Sequence, residues 1–202
     1  MEQPNEYIVE QPSIINLVKK NDLVSVQAAL EKGASVNTQD GNGRSLLLIA
    51  TMNQQADMAQ LLVRRGADVN LQADNQDSPF LYAGASGQTE LVKLFLANGA
   101  RFDVFNRYNG TALIPACERG HVETAQLLVS TKGFPVNHIN RLGWTALLEA
   151  VILGDGGKRH QEIVRILKKG GADIGIADKD GITPLQHARS RGFKEIVQIL
   201  ES

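Results

Sequence analysis

Gly66-Ala67-Asp68-Val69-Asn70 is the stretch on which the fold turns, because the chain repeats it. It stands earlier as Gly33-Ala34-Ser35-Val36-Asn37 and later as Gly99-Ala100-Arg101-Phe102-Asp103, Gly133-Phe134-Pro135-Val136-Asn137 and Gly171-Ala172-Asp173-Ile174. The five glycines follow one another at steps of 33, 33, 34 and 38 residues. A second landmark begins 12 residues after each of them: Ser45-Leu46-Leu47-Leu48, Ser78-Pro79-Phe80-Leu81, Thr111-Ala112-Leu113-Ile114, Thr145-Ala146-Leu147-Leu148 and Thr183-Pro184-Leu185-Gln186. An alanine follows at one constant offset, at Ala50, Ala83, Ala116, Ala150 and Ala188. Two landmarks in register five times define a repeat, and a unit this short cannot bury an apolar face alone. The repeats must therefore stack on one another.

Within each unit the residue types predict two helices and a turn. The Ser or Thr opening the second landmark is a natural N-cap, since its hydroxyl accepts an otherwise unpaired backbone N–H. Pro79 and Pro184 fall at the first helical position, where a missing N–H costs nothing. Leu47, Phe80, Leu113, Leu147 and Leu185 lie three residues before the small alanines and share a helix face with them. Gly87, Gly120, Gly154 and Gly192 are expected to close the first helices. The second helices carry apolar pairs, such as Leu61-Leu62, Leu94-Phe95, Leu127-Leu128, Ile166-Leu167 and Ile199-Leu200. Asn42-Gly43 and Asp180-Gly181 suit the tight turns of projecting loops. Ser13 to Gly33 has two helical patterns, Ile14 to Lys19 and Leu23 to Leu30, without the signature, and reads as an N-terminal cap. Polar Lys194, Glu195, Gln198, Glu201 and Ser202 suit a C-terminal cap.

The chain resembles the ankyrin repeat family, with its period of ~33 residues, Thr-Pro-Leu-His signature and Gly-Ala-Asp-Val-Asn end. The resemblance covers roughly residues 13 to 202. Leu48, Leu81, Ile114, Leu148 and Gln186 replace the signature histidine, and the Thr-Ala-Leu variant is similar to that of many bacterial ankyrin proteins. The resemblance implies an all-α repeat solenoid: a helix-turn-helix stack with β-hairpin-like finger loops, a cap over 13–37, and five repeats over 38–70, 71–103, 104–137, 138–175 and 176–202. Residues 1–12 are expected to form a loose tail, from which Tyr7, Ile8 and Val9 could pack back onto the cap.

Composition narrows the function. A net charge of −1 gives no global field toward nucleic acid or an anionic membrane. Lys19-Lys20, Arg64-Arg65 and Lys168-Lys169 are short pairs at helix ends, where cations complement the helix dipole. Cys117 is the only cysteine, so neither a disulfide framework nor a multi-cysteine metal site is expected. His121, His138, His160 and His187 show no metal-ligand spacing. No cofactor and no metal are expected. Cys117 reads as a small hydrophobe, and no nucleophile and base are paired, so no enzyme is expected. The polar N-terminus lacks a signal core and no stretch approaches a membrane span. The expected compartment is the cytoplasm; the alternative is the periplasm or secretion after removal of a signal.

What the resemblance implies about function is protein binding at the finger tips and the exposed side of the first helices. Carried over repeat by repeat, those positions are mainly small and polar in the first two repeats. The third supplies Phe105, Arg107, Tyr108 and Arg119, and the fourth supplies Ile139, Arg141, Leu142, Trp144, Ile152 and Leu153. Aromatic and arginine residues are the types enriched at binding hot spots. The expected partner is a protein, met by a monomer, with self-association through this apolar patch as an alternative; packing of the aromatic residues on one another is the structural alternative. The 38-residue step adds five residues around Gly154–His160. Lys158 and Arg159 there make a possible contact or anion-sensing loop, against a simple tolerated insertion. The segment Gly154-Asp155-Gly156-Gly157-Lys158 lacks the spacing of a phosphate loop, and Arg159 stands where the hydroxyl belongs.

Overall fold

The computed structural model describes residues 13–202. The expected tail, residues 1–12 with Tyr7, Ile8 and Val9, lies outside the described residues. Among the described residues twelve helices follow one another in pairs: α1 (Ile14–Lys19) with α2 (Leu23–Glu31), α3 (Leu46–Met52) with α4 (Ala56–Arg64), α5 (Pro79–Ala85) with α6 (Thr89–Ala97), α7 (Leu113–Glu118) with α8 (Val122–Ser130), α9 (Ala146–Ile152) with α10 (Lys158–Lys169), and α11 (Pro184–Ser190) with α12 (Lys194–Glu201). The odd-numbered helices pack side by side in one row and the even-numbered ones in another. No described helix is long and apolar enough to cross a membrane.

The caps form as their chemistry dictates at four of the five signatures. The hydroxyls of Ser45, Ser78, Thr145 and Thr183 accept the backbone N–H three residues on, at 3.1 to 3.3 Å. Thr111 departs from this pattern. In the other signatures the fourth N–H after the cap bonds the cap carbonyl, as Glu149 N–H does to Thr145. In the third repeat Pro115 occupies that slot and has no N–H to give. Helix α7 starts later, after Ala112, and the Thr111 hydroxyl is buried without a partner among the described residues.

The helix ends also correct one expectation. Gly87, Gly120 and Gly192 take the left-handed conformation after their first helices, with φ of 71°, 76° and 69°. Gly154 does not. It is buried, and an added Cβ would meet the Ala150 carbonyl and the His160 ring, so its lack of a side chain serves close packing. Gly156, at φ 70°, is the left-handed residue of that repeat. The five additional residues are shared between loop and helix. The α9–α10 connection spans residues 153–157 where the other repeats use three residues, and α10 has 12 residues where α4, α6 and α8 have 9. Lys158, Arg159 and His160 are thus the first turn of a helix and not part of a loop.

The core runs unbroken along the stack. Leu47, Phe80, Leu113 and Leu147 are all buried, whereas Leu185 is only half-buried, with a neighbouring repeat on one side alone among the described residues. Rings of Phe80, Phe102 and Phe134 form a ladder across repeats, with centroids 6.4 and 4.9 Å apart. Close approach of neighbouring helices needs small residues. A Cβ added to Gly84 of α5 would lie 2.6 Å from the Ala112 Cβ and 3.0 Å from the Ala112 carbonyl oxygen. Gly84→Val is accordingly expected to cost about 1–3 kcal/mol by overpacking the second and third repeats. Urea denaturation followed by circular dichroism measures this, and an unchanged midpoint would contradict it.

Candidate functional site

Each finger is a tight turn closed by its own backbone. The N–H of Asp40, Ala73, Asn106, Asn140 and Asp178 bonds the carbonyl four residues on, and a single isolated bridge, Gln39 with Ser45, is the only β pairing among the described residues. In four of the fingers the Asx residue that opens the turn reinforces it with its side chain, and in the second Asn75 Oδ1 accepts from the Asp77 N–H. Asn106 Oδ1 accepts from the N–H of Tyr108 and Gly110, both at 2.9 Å. Asn140 Oδ1 accepts from Leu142 at 2.9 Å and Trp144 at 3.0 Å. These bonds hold Tyr108 and Leu142 at equivalent positions on adjacent fingers. Neighbouring fingers are also stitched together: Arg141 N–H donates to the Tyr108 carbonyl at 2.8 Å, and the Arg141 guanidinium to the Arg107 carbonyl at 2.9 Å.

Between the fingers and α5, α7 and α9 lies a groove of about 380 Å³. Five of the ten expected contact residues line it: Arg107, Tyr108, Arg119, Leu142 and Leu153. Phe105, Ile139, Arg141, Trp144 and Ile152 do not. Phe105 is half-buried and stacks on His138, centroids 4.4 Å apart, so it packs within the stack. Arg141 is committed to the finger-to-finger bonds. Trp144 and Ile152 are half-buried and Ile139 is exposed. The floor of the groove comes from Tyr82, Pro115 and Glu149, which sequence reasoning passed over. Each stands four residues after its signature Ser or Thr. That offset lies one helical turn before the expected position at Ile152 and its equivalents Ala85 and Glu118 in the preceding repeats, hence on the same face, and was the available signal.

Glu149 dominates the electrostatics. It is 6% exposed. Its Oε1 accepts from Asn140 Nδ2 at 2.7 Å. Burial pushes its carboxyl up to about 7, and the nearby Glu118 carboxylate adds to the rise. Asp77, at the rim, is also raised by burial. Arg119 spends one guanidinium nitrogen on the Ala85 carbonyl at 2.7 Å, and the Arg107 guanidinium lies 4.8 Å above the Tyr108 ring.

The other titratable groups tie the stack together. His160 bridges the Asp155 carboxylate at 2.7 Å and the Glu118 carbonyl at 2.9 Å, so the inserted segment is fastened to α7. Asp155 also accepts the Gly157 N–H at 2.8 Å. The chain's own carboxylate therefore sits at the start of α10, the place where the alternative reading puts an anion. Lys158 and Arg159 are exposed there. Cys117 is fully buried, and burial together with the Glu149 carboxylate raises its thiol out of the reactive range. No group of three or more potential metal ligands is assembled among the described residues.

A two-row helical stack with projecting fingers and a groove between them defines a repeat scaffold. Comparison with known proteins says which one. The family model for ankyrin repeats (3 copies) matches residues 14–106 and 80–178, and the chain belongs to that family. It is 37% identical over 182 residues to the ankyrin repeat protein YahD of Escherichia coli K12, covering 90% of each chain. An ankyrin repeat domain from Acinetobacter baumannii AYE superimposes with a TM-score of 0.90 at 47% identity, over 93% of this chain and 95% of that one. The ankyrin repeat protein EF0377 superimposes with a TM-score of 0.91 at 38% identity, over 94% and 96%. Ankyrin repeats generally mediate protein–protein interaction, and the fold is generally a non-catalytic scaffold.

Proposed function

We propose that the protein is a non-enzymatic scaffold that holds a partner protein in the concave groove, mainly through its third and fourth repeats. The observation that carries this reading is the exposure of Tyr108, Ile139, Leu142 and Leu153, each between 44% and 49%, on two adjacent fingers and the end of α9. Of the remaining exposed large apolar residues among those described, Val24 and Met52 lie on other repeats and Ile174 follows α10 at the end of the fourth. Apolar side chains gathered beside a groove mark an interaction surface. Aromatic anchors at the centre of such a surface carry most of the binding energy.

Tyr108→Ala combined with Leu142→Ala is expected to weaken partner capture by a factor of roughly 30 or more, corresponding to loss of a hot spot of about 2 kcal/mol or more. Trp144→Ala, at the edge, should have a smaller effect. Affinity capture from native extract, wild type beside each variant and read by mass spectrometry, measures this. Equal recovery by wild type and the double variant would move the interface elsewhere. Self-association would appear instead as a doubled mass in light scattering that the same variant abolishes.

A further inference from the structure

We propose that the floor of the groove receives one basic side chain of the partner, a lysine ammonium or an arginine guanidinium, seated against the carboxylates of Glu118 and Glu149. The proposal rests on the groove being the partner surface and names the chemistry that the surface selects.

Glu149 is nine-tenths buried, yet only its Oε1 accepts a hydrogen bond, from Asn140. Its Oε2 accepts none from the described residues and is not sealed from the groove. Glu118 lines the same groove and makes no ion pair among the described residues. Neither arginine lining the groove forms an ion pair with these acids, although the Arg119 charge draws the Glu149 carboxyl partly back down. Arg119 donates to a backbone carbonyl, and Arg107 covers the Tyr108 ring. Withdrawing a carboxylate from water without a counter-charge is costly, and a cation arriving from outside offsets that cost. The walls favour the same ligand. Tyr82 lines the same groove, and the Arg107 guanidinium already rests on the Tyr108 ring, the kind of contact an aromatic ring offers a cation. An acidic partner side chain would meet Asp77, Glu118 and Glu149, with Arg107 and Arg119 as the cations beside them. A volume of about 380 Å³ is at the small end of ligand pockets and suits one long side chain.

The test is a random peptide library displayed on phage and panned on the full chain, in parallel with the Glu118→Gln, Glu149→Gln double variant. Both substitutions keep side-chain shape, and thermal melts verify that the variant is folded. Peptides enriched on wild type over the variant are expected to share a Lys or Arg beside an apolar residue. Replacing that residue by norleucine should weaken binding roughly tenfold or more, and should abolish the difference between wild type and variant. Peptides that need Tyr108 and Leu142 but carry no shared basic residue would overturn the proposal while leaving the scaffold reading intact. Absence of any enrichment of basic peptides over the variant would overturn it as well. Bound peptides indifferent to Tyr108→Ala and Leu142→Ala would remove both readings.

Discussion

Phe80→Ala is expected to lower the unfolding free energy by about 3–5 kcal/mol, the cost of emptying a buried aromatic site. Phe80 is 2% exposed on α5 and begins the ring ladder that continues through Phe102 to Phe134. The ladder crosses the boundary between the second and third repeats. A stack is stabilised by nearest-neighbour interfaces, so damage at one boundary weakens the coupling of everything on either side. The variant should therefore lose stability and coincidence of probes together. Trp144, the only tryptophan, reports the fourth repeat by fluorescence, while circular dichroism reports all the helices. In wild type the two urea transitions should coincide, and in Phe80→Ala they should separate. A loss below about 1 kcal/mol with coincident transitions would mean that the ladder does not hold the repeats together.

Glu149→Gln is expected to stabilise the protein at neutral pH and above, by roughly 2–3 kcal/mol, while changing little near pH 4. The folded carboxyl titrates at about 7, against an ordinary value of 4.5. Between these values the folded chain keeps the proton and the unfolded chain releases it. The folded state thus binds more protons, and stability falls as pH rises through this window. Above about pH 7 this group adds no further slope. Glutamine does not titrate and its Oε1 can still accept from Asn140, so the difference between variant and wild type should grow from pH 4.5 to 7 and then stay level. Groups away from Glu149 contribute equally to both proteins and cancel. Denaturant unfolding at half-unit pH steps measures the difference, and parallel curves would refute the assignment of the strained carboxyl to Glu149.

That strained carboxyl also marks the boundary between what reading the chain could and could not reach. Register was legible because two landmarks recur at a near-constant step, and the Ser and Thr caps followed from their hydroxyl chemistry. The failure at Thr111 is equally local in cause, since Pro115 removes an N–H, but it becomes visible only when the caps are compared as formed helices. The turn chemistry was half legible. Asn42-Gly43 and Asp180-Gly181 stood out, whereas the residues organising the turns are Asp40, Asn106, Asn140 and Asp178, whose side chains bond N–H groups two and four residues on.

The candidate surface divided in the same way. Tyr108, Leu142 and Leu153 were legible because large apolar residues stood at positions the resemblance assigns to exposed surface. Phe105 and Arg141 looked equivalent to these in the sequence and are not, because each found a partner in a neighbouring repeat, His138 for one and the Arg107 carbonyl for the other. The inserted segment read as a loop since its glycines resemble one, yet His160 and Asp155 draw it onto α7 and its last residues wind into α10.

The sequence by itself determined the repeat, its length, the two helices of each unit and the residues buried between units, for these depend on spacing and on interactions a few residues apart. Only the tertiary structure decided which exposed side chains share one groove, which arginines are already spent, and that Glu149 lies buried beside Glu118. Those properties come from side chains about 33 residues apart meeting across repeats, where distance and desolvation set their energies and no local pattern records them.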